Sequence, residues 1–265
     1  MLPAYPVTAE EQEVFRVCAD PNNLPFSSES HDGFENRLAE LLAKDFGMPV
    51  EYTWFPQRMG FIRNTLKARE PQRGGFKCDV IMGVPHRYDR AITTAPYYRS
   101  TYALVYVKGR GLDDVKDVAD LLGIDGERKN DLRIGVFERT PATQLLAQYD
   151  FYDQTVAYQT MSGDPQAYPG EIVEKELVAG KIDAAILWGP IAGYFAKNAQ
   201  DVEMAVIPVL SRPGMRFDFS ISAAVRHADG ERRDKLQGAL DRNADAIKAL
   251  LEEYHVPLLP VQSGS

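Results

Sequence analysis

Cysteine is nearly missing from this chain: 265 residues hold two, Cys18 and Cys78. Two thiols build no disulfide-dense scaffold, and their spacing matches no zinc motif. Histidine is sparse too. His31, His86, His227 and His255 stand apart, without an HExxH or HxH pattern, so no metal site is expected. No apolar run is long enough to span a bilayer, which argues against membrane insertion. A basic excess is lacking as well: the net charge is −8, so a nucleic-acid partner is not expected. The arginines between Arg226 and Arg233 are interleaved with Asp and Glu, as on a solvated helix face. There is no GxSxG, no P-loop and no dinucleotide fingerprint, and no nucleophile–base spacing stands out. The expectation is a protein without enzymatic activity and without a cofactor.

What is present is ordinary globular composition, 45% hydrophobic and 26% charged. Short apolar runs alternate with helical patterns, which favours an α/β fold with parallel strands. Strands are expected at 14–19, 50–54, 80–83, 102–107, 132–137, 155–160, 184–187, 204–209 and 217–225. Phe34 to Phe46 has helical spacing and closes on Gly47. Thr140-Pro141 reads as a helix start, a hydroxyl before proline at the first helical position. Further helices are expected at 61–67, 115–122, 170–179 and 191–196, with one long helix from Gly230 to Tyr254. The chain forms two β-α-β-rich blocks, the first ending near Tyr98, with the last strand and helix returning to it.

The most informative stretch is KCDVIMGVPHRYDRAITTAPYY. Val80-Ile81-Met82 is too short for a helix, is bounded by Gly83 and Pro85, and reads as a buried strand. Its C-terminal end, with His86, Arg87 and Arg90, is where open α/β sheets bind ligands.

In the order ADPNNLPF, GFENRLAELLAKDFG, FKCDVIMG, APYYRSTYALVYVKG, ELVAGKIDAAILWGP and RRDKLQGAL, the chain resembles type II periplasmic solute-binding proteins of the polar-amino-acid receptor kind, from Phe15 to Tyr254. CADPNNLPFS, EYTWFPQR, GFIRNTL and YYRSTYALV bring it nearest the periplasmic binding-protein-like components associated with quinoprotein (PQQ-dependent) methanol dehydrogenase, the MxaJ/XoxJ type. The resemblance implies two doubly wound lobes joined by a two-segment hinge. Lobe 1 would be residues 1–98 plus 220–265, lobe 2 residues 102–217, and the crossings would fall near 97–101 and 218–221. It also implies a periplasmic location, with the export signal removed from this chain.

The resemblance supplies a test of ligand class. Amino-acid receptors carry G-x-T-x-x-x-x-R, whose Arg grips the ligand carboxylate. Aligned on Gly83, Arg90 takes that place, but Pro85 replaces the Thr and removes a backbone donor. A solvated residue or a pair with Asp89 explains Arg90 equally well. The receptors' ammonium-binding Asp corresponds to Trp188, which cannot pair with a cation as a carboxylate does. Strand ends add Asp20 and Asn23, then Gln57, Arg58 and Met59, and His86 beside Arg90. Arg139 and Thr140 fall at a helix N-terminus, where an anion is favoured, although a plain N-cap is the simpler account of Thr140. Ser162, Gly163 and Asp164 lie in a turn-rich loop that could face the cleft. Arg58 with Arg90 would make the lobe 1 wall basic.

The implied function is an accessory that engages the dehydrogenase, or a segment of it, through the cleft. The rivals are a receptor delivering a small anionic solute to a transporter, and a dehydratase-like cleft enzyme using Asp20 or Glu138. In this topology Cys18 and Cys78 lie on neighbouring strands of an oxidising compartment, which favours a bridge. A stagger of about three residues, roughly 10 Å along a strand, opposes it. The bridge is the expectation.

Overall fold

A computed structural model describes residues 13–72, 74–160, 164 and 166–261. In chain order the first half gives β1 (Phe15–Ala19), β2 (Asn22–Asn23), β3 (Ser27–Ser28), α1 (Phe34–Phe46), β4 (Val50–Trp54), α2 (Phe61–Asn64), β5 (Arg69–Glu70), β6 (Gly75–Phe76), β7 (Val80–Pro85), β8 (Ile92–Thr93) and β9 (Tyr98–Val107). Then come α3 (Val118–Leu122), α4 (Gly126–Asn130), β10 (Ile134–Phe137), α5 (Pro141–Gln148), β11 (Thr155–Tyr158), a π-helix (Ile172–Leu177), β12 (Ala184–Trp188), α6 (Gly189–Asn198), β13 (Met204–Pro208), β14 (Asp218–Val225), α7 (Gly230–Arg242) and α8 (Ala244–Glu253).

Strand order is β11-β10-β12-β9-β14-β7-β1-β4, with β13 also on β9. The β4, β1 and β7 strands run parallel, as do β11, β10 and β12. The long β9 belongs to both halves. Its first residues pair antiparallel with β14, Tyr98 opposite Ile221 and Thr101 opposite Asp218. Its remainder pairs with β12 and β13, Trp188 opposite Tyr102. Separate cores flank the two halves. Phe34, Leu38, Leu42 and Val80 pack with Leu236 and Leu251 in one, while Leu104, Ile134, Leu145 and Phe217 pack in another.

At the junction Arg99 donates to Asp218 from Nε (3.0 Å) and Nη2 (2.6 Å). Burial raises the Asp218 pKa, but the Ser211 hydroxyl and the Arg99 guanidinium outweigh it and hold the carboxyl below its ordinary value. The C-terminal segment runs alongside: Ser100 Oγ donates to Pro257 O (2.7 Å) and Leu259 N to Arg99 O (2.8 Å). The same segment presses on α6. A Cβ on Gly193 would lie 2.0 Å from His255 O, so only glycine permits this approach.

Two expectations need correction. The helix from Gly230 to Tyr254 is two helices, because Asn243 turns its side-chain amide back onto Ala239 O (2.8 Å) and takes up the last turn of α7. The helix near 170–179 is a π-helix over Ile172–Leu177, with Val178 N bonded to Val173 O (3.1 Å), five residues back.

Cys18 and Cys78 form a disulfide with Cα atoms 5.4 Å apart. Cys18 lies opposite Ile81, so the three-residue stagger is present. The chain bends at Asp79 before entering β7, so the separation is not that of an extended strand. Asp79 is itself a buried anchor. It accepts from Arg16 Nε (2.9 Å) and Arg226 Nη2 (2.5 Å), and Arg226 also donates to Leu66 O and Cys78 O. Three chain segments thus meet on one carboxylate. Asp79→Asn removes the carboxylate shared by Arg16 and Arg226, leaving Arg226 with Asp229 (2.5 Å) as its remaining counter-charge, and should cost about 1.5–3 kcal/mol. Urea unfolding measures this; a loss under about 1 kcal/mol would show the network to be dispensable.

Candidate functional site: the interlobe cleft

The loops after β1 and β4 face the strand ends of the other half across a cavity of about 460 Å³. On one side stand Asp20, Asn22, Asn23, Gln57 and Arg58. The opposite side carries Phe137 from β10, Tyr158 from β11, Trp188 from β12, and Ile172, Lys175 and Glu176 from the π-helix. Tyr102 of β9 closes the floor at the junction. This is the end of a parallel sheet where ligands are expected, because strand C-termini diverge there into loops.

Of the residues singled out in the sequence, the structure brings Asp20, Asn23, Gln57, Arg58, Thr140 and Trp188 together around this cavity. Met59, His86, Arg90 and Arg139 do not line it. Met59 is 86% exposed, turned outward next to Arg58. His86 is spent on the sheet, its N–H donating to Ser220 O (2.8 Å) and its Nδ1 3.0 Å from Ser222 Oγ. The backbone turns through a left-handed Arg87 (φ 61°), and Arg90 beyond it is exposed. Arg139 is exposed and also left-handed, at φ 61°. Ser162 and Gly163 lie outside the described residues. Thr140 precedes Pro141 as expected, but its hydroxyl donates back to Phe137 O (2.7 Å) rather than forward into the helix.

The lobe 1 wall is tied together by Asp20. Its Oδ1 accepts from Asn22 N (2.9 Å) and its Oδ2 from Gln57 N (2.5 Å), so one carboxylate joins the two loops. Asn23 Nδ2 adds a bond to Gln57 Oε1 (3.1 Å). Two side chains then cross the cleft. Arg58 Nη2 donates to Asp164 O (2.6 Å), with Ala167 O at 3.4 Å, and Asn22 Nδ2 donates to Gln166 O (3.1 Å). Arg58 therefore works as a bond between the halves.

On the facing wall the charges are paired among themselves. Lys175 meets Glu171 at 2.8 Å, and Glu176 meets Lys181 at 2.8 Å while its second oxygen lies 3.5 Å from the Tyr158 hydroxyl. Trp188 is wedged edge-to-face between Tyr102 (5.6 Å) and Phe219 (5.9 Å). Burial pushes Tyr102 up to about 12, and burial together with Glu176 pushes Tyr158 up to about 12, so both hydroxyls stay protonated.

The aromatic residues Tyr102, Phe137 and Tyr158 went unnoticed in the sequence. A signal existed: each stands near one end of an expected strand. Lys175 and Glu176 had none, since nothing in IVEKEL distinguishes a π-helix from an α-helix. Glu35 was also missed. It stands in the first turn of α1, with its carboxyl against Gly83, where a Cβ would lie 2.0 Å from Oε1. Burial, then the nearby Asp20, raise its pKa to about 8.

Two lobes about a shared strand pair, with a cavity at the facing strand ends, define a type II periplasmic binding protein. No family model matches the chain. The crystal structure of the periplasmic binding protein XoxJ from Methylobacterium extorquens AM1 is 35% identical, over 93% of this chain and 99% of that one, with a TM-score of 0.73. The MxaJ structure from Methlophaga aminisulfidivorans MPT is 28% identical, over 92% of this chain and 100% of that one, with a TM-score of 0.75. Protein MoxJ of Methylorubrum extorquens is 26% identical over 94% of this chain and 82% of its own length. The chain belongs to this MoxJ/MxaJ/XoxJ family of periplasmic binding proteins. Among the described residues no helix is long and apolar enough to cross a membrane.

Glu35 makes stability depend on pH. Below about 4.5 its carboxyl is protonated in the folded and unfolded chain alike, and ionisation costs nothing. Between 4.5 and about 8 the unfolded chain gives up the proton and the folded chain keeps it, so stability falls as pH rises. Glu35→Gln should flatten this slope and stabilise the protein at pH 8 by on the order of 2–3 kcal/mol, discounted for partial exposure. Urea unfolding at pH 5 and pH 8 checks it, and an unchanged slope refutes the assignment.

Proposed function

We propose that this protein is a periplasmic accessory of PQQ-dependent methanol oxidation, which binds the methanol dehydrogenase or a segment of it through the interlobe cleft and its rim. In this reading it assists maturation or activation and performs no chemistry itself. Kinship to XoxJ, MxaJ and MoxJ supports the setting.

The observation that supports the cleft's part is that neither position at which amino-acid receptors grip their ligand brings its charged group into this cavity. Arg90 is outside the cavity, and Trp188 stands where the receptors place a carboxylate. The Arg58 and Asn22 bonds join the halves through the protein's own groups, whereas a solute receptor uses its ligand to bridge them. No standard amino acid should therefore bind tightly. A receptor for a small anion gains nothing from a cavity in which Arg58 is already bonded to the facing loop.

The test uses the purified methanol dehydrogenase of the same organism, with affinity and melting measured on the same samples. Trp188→Ala should weaken the complex by about 2 kcal/mol or more, because buried aromatic anchors dominate interfaces. Arg58→Ala should weaken it less, with a larger effect at low salt. Unchanged affinity, with stability lowered by about 3–5 kcal/mol, would return Trp188 to a packing role and remove the cleft from the interface.

A further inference from the structure

We infer that the cleft is built for a neutral aromatic group, and that the group arrives as an aromatic side chain on a peptide segment. The inference rests on the cleft being a partner site for the source of the ring, and on the cavity's own chemistry for its charge.

Charge is the first observation. Five ionised side chains line the cavity, and all have protein partners. Asp20 is held by two backbone N–H groups, Arg58 by backbone carbonyls of the facing loop, Lys175 and Glu171 by each other, and Glu176 by Lys181. Among the described residues a charged ligand meets no unpaired counterion on these walls: taking a partner's place in the partly exposed Lys175–Glu171 or Lys181–Glu176 pair gains little, and staying unpaired costs its desolvation. Glu35 behind Gly83 adds no charge at neutral pH, since burial and Asp20 keep its proton on.

Aromatic surface is the second. Phe137 and Tyr158 are register partners on adjacent parallel strands, so their side chains stand side by side on one face. Both are half-buried, and among the described residues no other ring stacks on either. With Trp188 fixed by Tyr102 and Phe219, they make an apolar wall with room beside it. A volume of about 460 Å³ suits a ring and its attached backbone.

Neutral amides are the third. Among the described residues Gln57 Nε2 and the side-chain amide of Gln159 have no protein partner, and both residues line the cavity. Uncharged donors and acceptors beside an aromatic wall match a peptide backbone bearing an aromatic side chain.

One ring carried in three charge states tests this on the full chain by calorimetry. N-acetyl-L-tryptophanamide is neutral, indole-3-acetate is an anion and tryptamine is a cation. The neutral probe should bind at least ten-fold more tightly than either ion. An ion binding as well or better, or no saturable binding of the neutral probe up to millimolar concentration, overturns the proposal. Tyr158→Leu should lower the neutral probe's affinity about ten-fold while keeping an apolar side chain on the wall. A folded Tyr158→Leu protein, checked by circular dichroism, with undiminished affinity places the ring elsewhere and also overturns it. If that variant does not fold, Gln159→Ala, on an exposed residue, carries the same test with the peptide. For the source, acetyl-Gly-Gly-Trp-Gly-Gly-amide should bind at least ten-fold more tightly than the single residue. Equal affinities would refute the peptide and leave a small aromatic molecule. These titrations contain no dehydrogenase, so their failure is separable from failure of the complex itself.

Discussion

One strand pairing constrains everything else: β9 is bonded to β14 at its start and to β12 and β13 along the rest. Ten residues of backbone thereby serve two half-sheets. Because β-sheet pairing is directional and spaced at about 4.8 Å, fixing β9 fixes which strand ends face each other. The Arg99–Asp218 ion pair sits at the exchange point and holds the two crossing strands in register. Residues Pro257 to Pro260 lie along the same place, bonded to Ser100 and Arg99. Trp188, Tyr102 and Phe219 meet there because their strands are adjacent at the junction, so Tyr102 and Trp188 serve both the cavity and the strand crossing.

What could be read in the sequence follows from where structure is local. The α1 boundaries at Phe34 and Phe46 and the span of β4 come straight from apolar spacing and from Gly47, because a helix stripe and a short strand carry their own signals. The break at Asn243 was not legible, since a helical pattern continues on both sides and one amide decides the matter. The π-helix was hidden because nothing in IVEKEL distinguishes it from an α-helix. For the cleft, strand ends were a sound guide to Asp20, Gln57 and Trp188, whose backbone is set by the strands. They were a poor guide to Arg90 and Arg139, because Arg90 lies beyond the left-handed Arg87 and Arg139 is itself left-handed, and such a turn redirects the side chain. Position after a strand predicts nearness to the cleft, while turn conformation decides direction.

The expected basic wall failed for a further physical reason. Charge in a cleft is a matter of pairing as much as composition. Arg58 is in the cavity, but its guanidinium donates to carbonyls across the gap. Such a bond is charge-assisted and worth about 1.5–3 kcal/mol, so a ligand anion competing for that group meets an occupied donor. Counting Arg and Asp along the chain cannot reveal this, since the acceptors are backbone oxygens that every residue carries.

The same accounting separates two kinds of cleft. A receptor leaves ion-pairing groups exposed on facing lobes, and its solute supplies the missing half of each pair, so binding and closure are one event. Here the polar bridge across the cleft is made by Asn22 to Gln166 O and by Arg58 to Asp164 O and Ala167 O. Closure then needs no ligand charge, and what remains on the walls is half-buried ring surface and neutral amide. Apolar area gains free energy from any apolar occupant at about 25 cal/mol per Å², independent of its charge pattern, so such a cleft is suited to reading shape. A partner that offers one aromatic side chain can use that surface without opening the ion pairs that hold the lobes. The strand crossing then places no demand on Tyr102 and Trp188 that such an occupant would oppose.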